Sequence, residues 1–289
     1  MDRRNTLDNE STIGDHIFAW GSKTYVMGVI NVTSDSFSGD GILGDLQSVI
    51  DLALHFEQYG ADIIDVGAES TRPSNIYTGT KPVTCDEELS RIIPVICAIR
   101  EKVGIPISID TRKSNVAKEA IKHGASMVND VGGISGDPLM LGTVSELGIP
   151  LVLMHNRVKP CYEDLIPEII EELKNMMEMA ELSGIDSGNV VLDPGIGFGK
   201  TAQHNMEIIR RLDEFQVLGR PILIGMSRKS TIGYVLDLPP NDRLEGTAAT
   251  VALSIAKGAD IVRVHDVKEM VRVARMSDAI IRGYSFNVS

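Results

Sequence analysis

The sequence has little cysteine and a deficit of positive charge. Its 289 residues include three cysteines, Cys85, Cys97 and Cys161, and none forms a C-x-x-C pair. An odd, sparse set of this kind does not make a disulfide framework, so we expect reduced thiols. Lysine and arginine total 28 against 40 acidic residues, which gives a net charge of −12. Because nucleic-acid binding needs a basic face, we expect no nucleic-acid partner.

Long apolar runs are absent as well. No stretch approaches the roughly 20 apolar residues that span a bilayer. The first segment, MDRRNTLDNESTIGD, is polar and lacks the apolar centre of a signal peptide. We therefore expect no membrane partner and a cytoplasmic location. With 43% hydrophobic residues, the chain has the composition of a globular protein and the length of one large barrel or two smaller domains.

Short apolar runs alternate with longer amphipathic segments from end to end. The runs are continuous rather than alternating, which is typical of parallel strands covered on both faces. Eight strands are predicted, over residues 24–31, 62–67, 106–110, 127–131, 150–155, 190–194, 221–227 and 261–266.

Helical patterns lie between the strands. We predict helices over residues 86–104, 114–124, 167–184 and 267–283. A lone Pro94 either kinks the first of these or marks a late start. Three helix-to-strand joints share one pattern, in which Gly ends the helix and Ala-Asp or Ala-Ser follows: YGADIID, HGASMVND and KGADIVRV. This self-similarity indicates a repeated βα unit.

The repeated unit predicts the fold. Eight strand–helix units in 289 residues favour an α/β fold of the (β/α)8 TIM barrel type, with its active site at the C-terminal ends of the strands. A doubly wound open sheet is the competing architecture. No linker or break in composition divides the chain, so we expect one domain over residues 1–289, with residues 1–22 as an N-terminal extension.

The segment LDPGIGFGKT, residues 192–201, resembles a phosphate loop but has the wrong spacing. A nucleotide phosphate loop needs Gly, four residues, and then Gly-Lys-Ser/Thr, and Pro194 stands where the first Gly belongs. We expect the glycines to let the backbone turn after Asp193 and to let a ligand approach closely. Phe198 can pack on a ring, and Lys200 belongs either to the site or to its solvated rim.

Polar residues collect where the predicted strands end. A single Asp after a strand is more often a helix cap than a catalyst, but agreement among eight strands is harder to explain by capping. One group of side chains suits hydrogen bonds to a flat, amide-rich heterocycle: Asp110, Asn129 and Asp193. A second group is cationic and suits phosphate: Arg72, Lys229, Arg263 and His265.

The two groups together predict a substrate with a polar ring at one end and a phosphate or diphosphate at the other. Asn31 and the hydroxyls after it can help to hold Mg²⁺, which prefers oxygen ligands and often binds through the phosphates of a substrate. The acidic total does not exclude such an anion, because a few local cations set the field of a pocket.

These motifs carry a family resemblance. In chain order they are MGVINVTSDSFSGDG (27–41), DIIDVGAESTRP (62–73), ISIDTRKSNVAKEAIKHGASMVNDVGG (107–133), LVLMH (151–155), LDPGIGFGKT (192–201), IGMSRKSTIG (224–233) and VRVHDV (262–267). The series resembles the successive signatures of dihydropteroate synthase. The resemblance implies a (β/α)8 transferase of folate biosynthesis that joins 7,8-dihydropterin-6-ylmethyl diphosphate to para-aminobenzoate and releases diphosphate. It also implies Mg²⁺ as cofactor, competition by sulfonamides at the aminobenzoate site, and a homodimer.

The resemblance assigns roles to individual residues. The catalytic set is Asp110, Lys229, Arg263 and His265. The pterin site is Asp110, Asn129, Met154, Asp193, Phe198 and Lys229. The diphosphate site is Asn31, Thr71, Arg72, Arg263 and His265, with Asn31 also at the metal. The aminobenzoate site is Phe37, Arg72, Pro73 and Ser230, where Ser230 begins the helix after the seventh strand and receives the carboxylate.

The departures from the family pattern are few. Ser34 stands where the family usually has Pro, Ala68 replaces a frequent Gly, and residues 74–84 differ from the usual second loop.

Two other functions compete with the synthase. A methyltransferase that uses methyltetrahydrofolate would share the pterin site but would not need the SRKS run or the paired Arg263 and His265. A barrel that binds a pterin without turnover is the other alternative.

Overall fold

The computed structural model describes residues 10–32, 42–68, 83–133 and 136–283, with the backbone alone for 42–45. Its strands are β1 Glu10–Ile13, β2 His16–Ala19, β3 Tyr25–Asn31, β4 Ile63–Gly67, β5 Ile107–Asp110, β6 Met127–Asp130, β7 Leu151–Met154, β8 Val190–Asp193, β9 Leu223–Ile224 and β10 Ile261–Val264. Its α-helices are α1 Ile42–Gln58, α2 Cys85–Arg100, α3 Ser114–Lys122, α4 Met140–Leu147, α5 Leu165–Leu182, α6 Ala202–Arg210, α7 Ser230–Leu236, α8 Leu244–Ala256 and α9 Val267–Arg282.

Within the described ranges, strands β3 to β10 form one parallel sheet. Each strand from β3 to β8 pairs with the next along the chain, and β10 pairs with both β3 and β9. A parallel bridge between Leu192 and Ile222 joins the two remaining edges. The sheet is therefore closed into the (β/α)8 barrel that the sequence predicts, and the doubly wound alternative is wrong.

The predicted strands all fall on observed ones, most of them within one or two residues in length, with one large difference. The seventh, predicted over 221–227, is the short strand β9, because the backbone turns where Lys229 N–H donates to the Met226 carbonyl at 3.2 Å. The late start considered at Pro94 is wrong. Helix α2 begins at Cys85, where Thr84 and Glu87 form a capping box, and Pro94 lies inside it.

Residues alternate between the inside and the outside of the barrel. On β3, for example, Met27 belongs to an inner apolar cluster, whereas its neighbour Val26 packs against the surrounding helices. The apolar face of α9, with Val267, Met270 and Val271, is buried in that outer layer. This face therefore packs on the barrel.

A hairpin that the sequence analysis did not predict covers one end of the barrel. Strands β1 and β2 pair antiparallel, within the segment treated as an extension. The Trp20 and Phe18 rings pack against Tyr25 at the start of β3, with centroids 5.4 and 4.7 Å away. They join an inner cluster of residues from the strand starts, including Met27, Ile63, Met127, Leu223 and Ile261. The hairpin thus plugs the N-terminal end, and the opposite end is left for the site.

No helix among the described residues is long and apolar enough to cross a membrane.

Candidate active site

The interior changes from apolar to polar toward the C-terminal ends of the strands. The apolar layer contains Ile63, Met127, Val191 and Ile261. Two residues further along each strand, the same inward parity brings in Asp65, Asn129, Asp193 and Arg263. A single alternating pattern therefore builds both the apolar layer at one end of the barrel and the polar layer at the other.

Arg263 joins two carboxylates in this layer. Its Nε donates to Asp65 Oδ2 and its Nη2 donates to Asp110 Oδ2, both at 2.6 Å. Asn129 Nδ2 donates to the same Asp65 oxygen at 3.1 Å. Asp65 is fully buried and Asp110 nearly so. The guanidinium offsets the cost of burying two negative charges, and the planar fork fixes the directions of both carboxylates.

Three oxygens of this cluster are left without a partner among the described residues. They are the buried Oδ1 atoms of Asp65, Asp110 and Asn129. Buried acceptors of this kind are costly unless they are paired. A ligand with several N–H donors on one edge would pair them, so the cluster is suited to a flat, hydrogen-bonding ring.

Asp193 and Lys229 lie close to this cluster. Asp193 Oδ1 accepts from Gly195 N–H at 2.7 Å, and Met154 is paired with Asp193 in the sheet. Lys229 Nζ donates to the Ile196 carbonyl and sits 5.0 Å from the centre of the Phe198 ring. These contacts bring together every residue that the sequence assigns to the pterin site.

Three ionisable side chains in this pocket have shifted pKa values. Burial raises the pKa of Asp110 to about 7, against the opposing effect of Arg263, and Asp65 adds to the rise. Burial also raises the pKa of Asp193, against Lys229. Burial lowers the pKa of Lys229 to about 8, although Asp193 opposes this. Perturbed pKa values that share one pocket are typical of functional sites.

The rim of the barrel carries the remaining described residues of the predicted site. His265 Nδ1 lies 3.0 Å from Ser227 Oγ, and its Nε2 lies 3.5 Å from the Nδ2 of the exposed Asn31. Ser230 is exposed as the first residue of α7, as the sequence predicts. Phe37, Thr71, Arg72 and Pro73 lie outside the described residues.

Arg228 fixes the backbone between Ser227 at the rim and Lys229 in the pocket. Its φ of 57° is in the left-handed region, which is rare for a residue with a side chain. Its guanidinium is paired with the Asp266 carboxylate in a two-point contact. Arg243 Nη1 donates to the carbonyls of Arg228 and Lys229 at 2.9 and 3.2 Å. The backbone that carries Lys229 is therefore fixed from both sides.

The glycines of the loop after β8 were expected to let a ligand approach closely, but two of them pack against the protein's own backbone. Gly195, Gly197 and Gly199 all have positive φ, so the predicted tight turn is present. A Cβ on Gly195 would lie 1.8 Å from the His155 carbonyl oxygen, and one on Gly199 would lie 2.0 Å from that of Arg157. The close approach at these two positions is therefore to the protein's own backbone after β7. At Gly197 the nearest atoms belong to Lys229.

Lys200 is not a solvated rim residue. It is 7% exposed, and its Nζ contacts His155 Nδ1 at 2.7 Å and the Phe198 carbonyl at 2.9 Å. The sequence analysis also missed Asp65. A charged residue inside the otherwise apolar run IIDVG was the available signal, because buried carboxylates are rare unless they are paired.

A metal site made by the protein alone is absent from the described residues, since no three His, Cys, Asp or Glu side chains are grouped to hold an ion. The exposed carboxamide of Asn31, beside His265, still offers one hard oxygen donor at the rim. This fits Mg²⁺, which commonly takes one or two protein ligands together with substrate phosphates.

Fold and site together define a barrel enzyme that binds a pterin. The family model described as "Pterin binding enzyme" matches residues 27–265. The dihydropteroate synthase of Bacillus subtilis (strain 168) is 49% identical over 259 residues, covering 90% of this chain and 89% of the relative. The chain belongs to the dihydropteroate synthase family, transferases of folate biosynthesis.

Solved structures agree with this assignment. The crystal structure of dihydropteroate synthase from Clostridium difficile, in the presence of pteroic acid, has a TM-score of 0.87 and 48% identity, with 92% of this chain and 99% of that chain covered. The Xanthomonas albilineans dihydropteroate synthase with 4-aminobenzoic acid also has a TM-score of 0.87, with 36% identity and coverage of 94% and 98%. These likenesses favour the synthase over the methyltransferase alternative.

Proposed function

We propose that the inward polar layer binds the dihydropterin ring of 7,8-dihydropterin-6-ylmethyl diphosphate. The observation that carries this proposal is the set of buried, unpartnered oxygens on Asp65, Asp110 and Asn129. A dihydropterin has amino and ring N–H donors that can pair such oxygens, and Asp193 adds a further acceptor. The ammonium of Lys229 supplies the donor that the acceptors of the ring require. Met154 and Phe198 line the slot.

The same groups favour the loss of diphosphate. When the C–O bond of the substrate breaks, the bonding electrons leave with the diphosphate and positive charge develops on the methylene and the pterin. The carboxylates of Asp110 and Asp193 stabilise that charge from fixed positions, which is the arrangement that contributes most in many enzymes. The neutral amine of para-aminobenzoate then attacks the methylene and loses a proton. This sequence needs no covalent bond to the protein.

The departing diphosphate lies at the rim in this proposal. His265 contacts it from the position just after β10, and Arg263 acts from the floor of the pocket through its positive charge. Asn31 would hold Mg²⁺ through its carboxamide oxygen, together with oxygens of the diphosphate. When bound, the ion supplies positive charge to the leaving group. Thr71 and Arg72 complete this site by family resemblance.

The amine substrate enters at the same rim. Support comes from the Xanthomonas albilineans structure, which contains 4-aminobenzoic acid. Ser230 is the exposed first residue of α7, and we assign the aminobenzoate carboxylate to its hydroxyl and to nearby backbone N–H groups. By resemblance alone, Arg72, Phe37 and Pro73 close over the aromatic ring, where sulfonamides compete.

An Asp193→Asn variant tests the pterin pocket. Isothermal titration with a stable pterin should show affinity reduced about 10- to 150-fold, since a hydrogen bond to a charged group contributes about 1.5–3 kcal/mol. Asp213→Asn is the matched control, because Asp213 is half-exposed and paired with Lys257 on the surface. Equal pterin affinity in the Asp193 variant and in the control would contradict the proposal.

We also propose that the protein is a homodimer. The apolar face of α9 is occupied by the barrel, but a groove of about 520 Å³ lies between α6, α7 and α8. Its wall includes the exposed Val235 and Leu253. Light scattering should give a dimer mass for the parent chain and a monomer mass for Leu253→Glu; a parent monomer would contradict the proposal.

We also propose a cytoplasmic location, which the three free thiols support.

A further inference from the structure

A buried charged network lies behind the pterin pocket and takes no part in the proposed chemistry. It consists of His155 and Arg157 after β7, Glu172 on α5, and Lys200 at the end of the glycine-rich loop. His155 is fully buried and Lys200 nearly so. Burying an ammonium and an imidazole costs several kcal/mol unless both are paired, so the contacts of this pair indicate what the network does.

The Lys200 ammonium contacts three acceptors from two different segments. It lies 2.7 Å from His155 Nδ1, 3.3 Å from the His155 carbonyl oxygen and 2.9 Å from the Phe198 carbonyl oxygen. The first two belong to the chain after β7 and the third belongs to the loop after β8. An ammonium has three donors, and all three are used to join these segments.

The joined segments carry two sides of the pterin slot. Met154 precedes His155, and Phe198 supplies the carbonyl that Lys200 binds. His155 N–H also donates to the Asp193 carbonyl at 2.8 Å, so the pterin-facing carboxylate belongs to the same unit. The backbones touch where Gly195 and Gly199 pack on residues 155 and 157. Lys200 fills the space beside this contact, since a Cβ on Gly195 would lie 3.3 Å from Nζ.

The histidine has one defined tautomer in this network. Burial, with the charges of Lys200 and Arg157, lowers the pKa of His155 far below its ordinary value, so the ring is neutral. When Lys200 is protonated, Nδ1 must accept from its ammonium, and Nε2 then carries the proton. His155 Nε2 lies 3.0 Å from Glu172 Oε2 but makes no hydrogen bond within the described residues, and Arg157 Nε donates to Glu172 Oε1 at 2.8 Å. The contact with Lys200 therefore selects Nδ1 as the accepting nitrogen.

We propose that Lys200 is a positioning residue of the pterin pocket: its ammonium ties the end of β7 to the loop after β8 and so fixes the spacing between Met154 and Phe198. This inference rests on the pterin pocket proposed above. It differs from a direct role, because the contacts of Lys200 are with the walls of the pocket. Burial lowers the pKa of Lys200 to about 7. Asp193 on β8 and Glu172 on α5 favour its ammonium form, whereas Lys229 before α7 and Arg157 after β7 oppose it.

The test is Lys200→Met, which keeps the length of the side chain and removes the three donors. We expect the KM for dihydropterin diphosphate to rise at least tenfold, while the KM for para-aminobenzoate changes less than threefold. Lys174→Met is the control, because Lys174 is exposed on α5, and it should leave both values unchanged. Unchanged KM for the pterin substrate in the Lys200 variant would overturn the proposal.

A second measurement on the parent protein covers the case in which the variant does not fold. The ¹⁵N resonances of His155 should show the neutral, Nε2-protonated form, and they should move when a pterin binds and stay when para-aminobenzoate binds. Resonances that do not shift when the pterin binds, or that show a protonated Nδ1, would overturn the inference. If Asp193→Asn still binds the pterin normally, the pocket proposal itself fails, which is a separate outcome from a normal Lys200→Met.

Discussion

Replacing Asp65 by Asn removes one charge from the buried cluster and leaves the shape of the side chain almost unchanged. Asp65 Oδ2 accepts from both Arg263 and Asn129. The neutral amide that replaces it has a single acceptor oxygen and adds donors that face the Arg263 guanidinium. Arg263 then keeps Asp110 as its one carboxylate partner among the described residues.

The size of the effect follows from these contacts. A charge-assisted hydrogen bond contributes about 1.5–3 kcal/mol and a neutral one about 1 kcal/mol. Breaking a buried ion pair costs about 3–5 kcal/mol. A loss of about 3 kcal/mol in the free energy of unfolding corresponds to a decrease of roughly 6–12 °C in Tm for a chain of this size. We also expect kcat/KM to fall at least tenfold, because Arg263 and Asn129 lose their common anchor.

The pH profile supplies a second readout of the same change. The charge of Asp65 raises the pKa of Asp110, which is about 7 in the parent. Removing that charge lowers the pKa of Asp110, which is ionised above its pKa and then accepts from the pterin. The acid limb of pterin binding should therefore move to lower pH in the variant.

Calorimetry and a diphosphate-release assay between pH 5 and 9 would measure both effects. Asp213→Asn serves again as the control, since an exposed pair contributes about 0–1 kcal/mol. A Tm within 1 °C of the parent, with kcat/KM within threefold and an unmoved acid limb, would refute the reasoning.

Three further predictions concern other parts of the molecule. Because burial places the pKa of Lys229 at about 8, its ammonium loses the proton as pH rises through that value, and pterin affinity measured by titration should fall there; a flat profile to pH 9.5 would contradict this. Trp20→Ala should lower the free energy of unfolding in urea by about 3–5 kcal/mol and leave kcat/KM within threefold, because the plug lies at the opposite end of the barrel; a selective loss of activity would argue otherwise. Ser227→Ala removes the partner of His265 Nδ1 and should lower kcat for diphosphate release several-fold without raising the KM of the pterin substrate, and the reverse pattern would count against a rim site.

The barrel could be predicted because buried parallel strands leave a strong pattern. Apolar runs such as TYVMGVIN have no polar face, and the Gly-Ala joints repeat with the same spacing to the next strand. The plug could not be predicted in the same way. Its strands have four residues each, and contacts with the finished barrel stabilise it, such as the hydrogen bond from Ser11 Oγ to the Gly188 carbonyl and the packing of Trp20 on Tyr25.

Most of the described residues that gather at the candidate site were predicted from the sequence, with Asp65 as the exception, but their contacts were not. Strand ends point to Asp110, Asn129 and Asp193 because all eight strands deliver polar groups to one rim. The fork of Arg263 is different, because it depends on two carboxylates that β4 and β5 bring to the same place. His155, the side-chain partner of Lys200, lies 45 residues earlier in the chain, and no spacing in the sequence indicates it.

The most direct test of the account is release of diphosphate from dihydropterin diphosphate with Mg²⁺, in the presence and absence of para-aminobenzoate, for the parent chain and for Lys229→Ala. The account predicts release that requires the aminobenzoate, forms dihydropteroate in equal amount, and is lost in the variant. Tight pterin binding without any release of diphosphate would contradict it, and would leave a pterin-binding barrel that does not catalyse the condensation.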